Sequence, residues 1–161
     1  MKKKDLESII GELLSEKNLT IATAESCTGG LIANRLTNVS GSSRYFERGV
    51  ISYSNESKIE LLNVPIKVIE TSGAVSEPTA RAMAIGIKEL SKTDLGLGVT
   101  GIAGPTGGSA DKPVGLVYIG FATDDGVEVQ KFNFSGNRIE IKQQTADASL
   151  DMILNWLKVN H

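Results

Sequence analysis

The strongest constraint on this chain is a change of period between Thr20 and Leu36. Thr20-Ile21-Ala22-Thr23-Ala24 is a short β-prone run, Glu25-Ser26-Cys27-Thr28-Gly29-Gly30 is a turn, and Leu31, Ile32 and Leu36 return at helical spacing. A strand that feeds a turn and then a helix is the opening of a βαβ unit, whose strand is covered on both faces. The same alternation continues along the chain. Leu6, Ile9, Ile10, Leu13 and Leu14 predict an amphipathic helix from Lys4 to Lys17, ended by Asn18. A strand is expected from Phe46 to Tyr53 and a short helix from Glu56 to Leu62, stopped ahead of Pro65. Ser76-Glu77-Pro78 opens a helix running to about Leu90. Strands follow at Leu95 to Thr100, Gly115 to Ala122 and Val127 to Phe134, the last two joined as a hairpin through Thr123-Asp124-Asp125-Gly126. A final helix, Asn137 to Lys158, places Ala146, Ser149, Leu150, Ile153, Leu154 and Leu157 near one face. This order predicts an α/β fold: a three-layer α/β/α sandwich around a mixed sheet of about five strands, as one domain over 1–161.

Composition removes several function classes. The formal net charge is -2, so the basic face that nucleic acid requires is not expected. No apolar run is long enough to span a membrane. One cysteine, Cys27, excludes an internal disulfide and fits a reducing compartment, which places the protein in the cytoplasm by expectation. The single histidine, His161, is the last residue, where chains usually fray, so a Ser-His-Asp or Cys-His site is disfavoured. Zinc needs clustered His and Cys ligands, and the one of each present here are far apart. Carboxylate-bound magnesium stays open. An enzyme built from this chain therefore takes its base from lysine, tyrosine or a carboxylate.

Three glycine- and hydroxyl-rich segments stand out: Glu25 to Gly30, Gly41 to Ser43 and Thr100 to Gly108. The first and third follow predicted strands, where α/β sheets bind ligands. The first leads into a helix whose free amides accept an anion or oxyanion, or whose amides are capped by Ser26 or Thr28. The third lacks the Gly-Lys-Ser/Thr ending of a P-loop. Tyr53-Ser54-Asn55-Glu56-Ser57-Lys58 spans a strand end and a helix start, which places Tyr53 and Lys58 near one rim. A lysine in a dry pocket loses its charge and takes a serine proton, and a tyrosine relays it; an exposed helix lysine is the plain alternative. Cys27 without a histidine reads as a small buried hydrophobe. Arg138 at the start of the last helix opposes the helix dipole, which suggests phosphate binding or simple solvation.

Ala24 to Gly30, Gly41-Ser42-Ser43, Gly49 to Asn55, Lys58, Gly73 to Glu77, Thr100 to Pro105, Gly107-Gly108 and Lys112 to Gly115 together resemble the CinA C-terminal domain family. The motifs occur in order over roughly residues 5 to 157. Members of that family act as nicotinamide-nucleotide amidohydrolases, converting nicotinamide mononucleotide and water to nicotinate mononucleotide and ammonia. The resemblance implies Ser26 as nucleophile, with Tyr53 and Lys58 as its activating pair. It sets Glu25, Thr28, Gly29, Gly30, Ser42, Ser43, Thr100, Gly101, Gly104 and Arg138 around the substrate. It also implies a homodimer that needs neither cofactor nor metal. Some relatives carry a molybdopterin-binding-like domain ahead of this one, and none is expected within these residues. Two other classes are kept open: a nucleotide-binding module without turnover, and a metal-dependent nucleotide phosphohydrolase.

Overall fold

The computed structural model describes residues 4–160; Met1, Lys2, Lys3 and the histidine His161 lie outside the described residues. The elements run α1 (Leu6–Glu16), β1 (Ile21–Glu25), α2 (Leu31–Thr37), a 3-10 turn (Ser42–Arg44), β2 (Phe46–Ile51), α3 (Asn55–Leu62), α4 (Ile66–Ser72), α5 (Glu77–Ser91), β3 (Leu95–Gly101), β4 (Leu116–Thr123), β5 (Gly126–Asn133) and α6 (Arg138–Val159). The five strands form one sheet in the order β2-β1-β3-β4-β5. β1 pairs parallel with β2 and β3, while β4 is antiparallel to both β3 and β5. The sheet is therefore mixed, as the element order requires.

Strand alternation sorts the side chains between two helical layers. On one face Ile21, Leu97, Val99, Val117 and Ile119 meet Ile10 and Leu14 of α1, Ile32 and Leu36 of α2, and Leu150, Ile153 and Leu157 of α6. On the other face Ala22 and Ala24 meet Leu62 of α3 and Met83 and Ile87 of α5. Burial of these side chains at roughly 1.5–3 kcal/mol each supplies the main drive to fold.

The second face has an unusual floor. Gly96 and Gly98 of β3 and Gly120 of β4 point at α5, and Gly98 pairs directly with Gly120. A Cβ at Gly98 would sit 2.5 Å from the Ala84 nitrogen, and one at Gly120 would sit 2.6 Å from the Ala80 oxygen. The helix thus rests on bare strand backbone. On the far side of α5 the same device recurs: a Cβ at Gly86 would collide with the Leu62 carbonyl, its carbon lying 2.9 Å away, at the end of α3. Three backbones are stacked through glycine.

The sequence missed α4. Its segment, IKVIETS, is short and rich in β-branched residues, so propensity does not announce it. Pro65 stands at its N-cap rather than merely ending the preceding helix. β2 also stops at Ile51, two residues ahead of the expected Tyr53. The carbonyls of Ser52 and Tyr53 turn to the Nζ of Lys58 instead.

Candidate active site

Ser26 follows the last residue of β1, in the interior of the sheet. Its amide donates to Val99 O at 3.0 Å, and Ser52 N donates to Glu25 O at 2.9 Å, so both neighbouring strands hold the start of the turn. Lys58 reaches the same point from α3. The side chain of Ser54 caps that helix by accepting from Ser57 N at 3.0 Å. Lys58 sits one turn in, and helical side chains lean back towards the N-terminus, so its stem points at the strand it follows. Nζ lies 3.1 Å from Ser26 Oγ and donates to Ser52 O at 2.8 Å and Tyr53 O at 3.2 Å.

Lys58 is 1% exposed and Ser26 8%, and no carboxylate forms an ion pair with this lysine among the described residues. Burial holds its pKa below the ordinary lysine value. A neutral amine has two N–H donors and one lone pair. With these two carbonyls as its acceptors, the neutral form turns its lone pair to the serine hydroxyl. The neighbouring Cys27 thiol is pushed up to about 12 by burial, so it stays protonated and poorly nucleophilic.

Glu25, expected to touch the substrate, has another task. Its carboxylate accepts from Thr28 Oγ1 at 2.6 Å, Ile32 N at 2.8 Å and Ala33 N at 3.0 Å. Gly30 is the N-cap of α2 and makes no side-chain cap, so Glu25 caps that helix from inside the turn in place of Ser26 or Thr28. The anion-accepting amides of the helix start are filled by the protein itself. The amides of Thr28 and Gly30 make no hydrogen bond among the described residues.

Tyr53 is 59% exposed, and its two ends serve different partners. The carbonyl accepts from Lys58, while the hydroxyl accepts from Arg138 Nη2 at 2.9 Å. Arg138 also donates from Nη1 to Gly104 O at 2.8 Å. One guanidinium therefore joins the segment after β2 to the glycine loop after β3. Thr100 is buried and donates its hydroxyl to Ala74 O at 2.8 Å; Gly101 ends β3 beside Val117. The loop after β3 thus lies at the same end of the sheet as Ser26.

Ser42 and Ser43 are not brought there. Ile21 at the start of β1 donates to Tyr45 O at 2.7 Å and pairs with Phe46. The turn holding both serines therefore flanks the opposite end of a five-residue strand from Ser26, roughly 16 Å away at about 3.3 Å per residue. Parallel pairing of β1 with β2 forces this separation. Sequence reasoning also missed Ser52, whose carbonyl orients Lys58, and Lys142, whose Nζ would lie 3.6 Å from a Cβ on Gly29. Ser52 lies within the Gly49 to Asn55 motif but acts through its backbone carbonyl, which residue type does not announce, and Lys142 stands in no motif. Among the described residues no group of three or more His, Cys, Asp or Glu could hold a metal ion, and no helix is long and apolar enough to cross a membrane.

Fold and site define an α/β/α domain with a buried serine–lysine pair at the carboxyl end of its parallel strands. The CinA C-terminal domain model matches residues 3–157, and the chain belongs to that family. A relative from Caldicellulosiruptor bescii is 57% identical over 148 residues, 92% of this chain and 36% of its own length. A CinA-like protein of Syntrophus aciditrophicus is 51% identical over 153 residues, 94% of this chain and 36% of its own. The chain thus spans little more than a third of these relatives. The crystal structure of competence/damage inducible protein CihA from Agrobacterium tumefaciens is similar at a TM-score of 0.89 and 38% identity, covering 98% of this chain and 99% of that one.

Proposed function

We propose that this chain hydrolyses the carboxamide of nicotinamide mononucleotide through an acyl-serine intermediate. The observation that carries the reading is the coordination of Lys58: buried, without a carboxylate, and bound by two carbonyls so that its third position meets Ser26 Oγ. Family membership is compatible with an enzyme, and the substrate follows from the family resemblance of the sequence motifs.

In this mechanism neutral Lys58 takes the hydroxyl proton as Ser26 Oγ bonds to the carboxamide carbon. The amides of Thr28 and Gly30 are the candidate donors to the oxyanion. Collapse breaks the C–N bond, and the Lys58 ammonium returns the proton to the leaving ammonia. Water then adds to the acyl carbon, giving its proton to Lys58, and the Ser26 oxygen leaves with that proton to restore the hydroxyl. Tyr53 and Arg138 position the rim: the tyrosine carbonyl aims the lysine while its hydroxyl is held by the guanidinium.

The test is ammonia release from nicotinamide mononucleotide by purified protein and by Ser26→Ala. The hydroxyl has Lys58 as its side-chain partner, so the variant should fold normally and release no ammonia above background. Turnover near wild type in Ser26→Ala, or release of phosphate in place of ammonia by the wild type, refutes the reading.

A further inference from the structure

We propose that Lys142 is the cation that binds the phosphate of the substrate, a specificity role that sequence reasoning had given to Arg138. The inference rests on the amidohydrolase reading for the identity of the substrate, but the anion site it describes is independent of turnover.

Arg138 and Lys142 are four residues apart on α6, and such positions share one helix face. They meet different surroundings. Two N–H groups of Arg138 are engaged by Gly104 O and Tyr53 Oη, and the guanidinium is fixed between two loops. Lys142 extends over the turn that begins at Ser26. Gly29 lies beside it: its amide donates to Ser26 O at 3.1 Å, and a Cβ there would sit 3.6 Å from Lys142 Nζ. Gly29 adopts φ +60, so the residue between the ammonium and the turn is one that keeps the way clear.

Lys142 is half-buried and forms neither a hydrogen bond nor an ion pair among the described residues. Arg35, by contrast, is tied to Glu7 and Asp147, and Lys88 to Asp124. The charge of Lys142 reaches the Ser26 neighbourhood, where it favours the thiolate of Cys27. A half-buried ammonium with no hydrogen-bond or ion-pair partner among the described residues, beside Gly29 in the turn that begins at the nucleophile, is suited to an anionic group carried by the substrate. The ribose of a nucleotide separates its phosphate from the ring at which Ser26 acts, and Lys142 stands on the Gly29 side of the turn rather than at Ser26 itself.

The experiment compares wild type, Lys142→Ala and Lys142→Arg on nicotinamide mononucleotide and on nicotinamide riboside, which lacks the phosphate. Lys142→Ala should lower kcat/KM for the mononucleotide about ten- to a hundredfold, chiefly through KM, change the riboside reaction less than about threefold, and unfold at the wild-type urea midpoint. Lys142→Arg should keep most of the preference. An equal loss on both substrates would place Lys142 at the reacting centre, and no loss would make it idle; either result overturns the proposal. Calorimetric binding of both compounds to Ser26→Ala, with and without Lys142→Ala, separates this claim from the reaction. If the wild type releases no ammonia yet the phosphorylated compound loses its advantage only when Lys142 is removed, the amidohydrolase reading fails and the phosphate site stands.

Discussion

Replacing Lys58 by methionine tests the site and its linkage to folding together. Methionine is unbranched and flexible enough to follow a lysine channel, but it offers neither a proton nor a lone-pair nitrogen. Loss of a general base removes about 10²–10⁴-fold of rate. Stability should move far less. The Ser52 carbonyl, now without the 2.8 Å contact, costs about 1–3 kcal/mol when buried and unpaired. The apolar side chain returns a similar amount by avoiding desolvation of an amine. The net change at pH 7 is therefore within about 2 kcal/mol. The pH dependence is more telling. Folded Lys58 titrates below the unfolded value of about 10.4. Between those two values the unfolded chain binds more protons, so stability rises with pH across that window. Below the folded pKa the full cost of burying a charge is present and constant. Urea unfolding of wild type should show this rise on the alkaline side, and Lys58→Met should lose the lysine's share of it. Lys58→Arg should be as inactive as the methionine variant, because arginine does not release its proton. Ammonia release within tenfold of wild type by either variant, or identical pH slopes for Lys58→Met and wild type, refutes the argument.

Glu25→Gln should destabilise the domain by about 1.5–3 kcal/mol, since the amide turns an N–H₂ group towards a backbone donor and removes a charge-assisted cap; a urea-derived change below about 0.5 kcal/mol would show that the cap is dispensable. Gly86→Ala gives a test of sign. In an open helix this change gains about 1 kcal/mol of propensity, but collision with the Leu62 carbonyl should make the variant less stable by about 1–3 kcal/mol, as read from its thermal midpoint.

The layer order was legible because strand and helix periods differ and the glycine turns separate them. Ser26 and Lys58 were legible as residue types in a chain with its one histidine at the end, and the structure brings them to 3.1 Å. The places where sequence failed have common causes. Glu25 sits in the turn that was read as a ligand cradle, and only the folded path of Gly29 and Gly30 shows that the cradle closes on its own carboxylate. Ser42 and Ser43 resemble ligand-binding hydroxyls, but strand direction carries them to the other end of the sheet. Arg138 is visible as a misplaced charge; its two partners come from Tyr53 and Gly104, far away in sequence. Lys142 has no local signature at all.

The glycine stack beneath α3 bears on how the 3.1 Å gap between nitrogen and hydroxyl is maintained. From β3 and β4 across α5 to the end of α3, close backbone approaches tie the helix that carries Lys58 to the strands beside Ser26. Gly98, Gly120 and Gly86 contribute no side chain of their own at these contacts, so repacking of other residues acts on them less directly. The opposite layer, carrying Arg138 and Lys142, rests on ordinary interdigitated side chains and can settle by repacking. The domain thus combines a rigid gauge that sets the distance between nucleophile and base with an adjustable wall facing the rest of the ligand. Drift in sequence can reshape which molecule is admitted long before it disturbs the reaction performed on it.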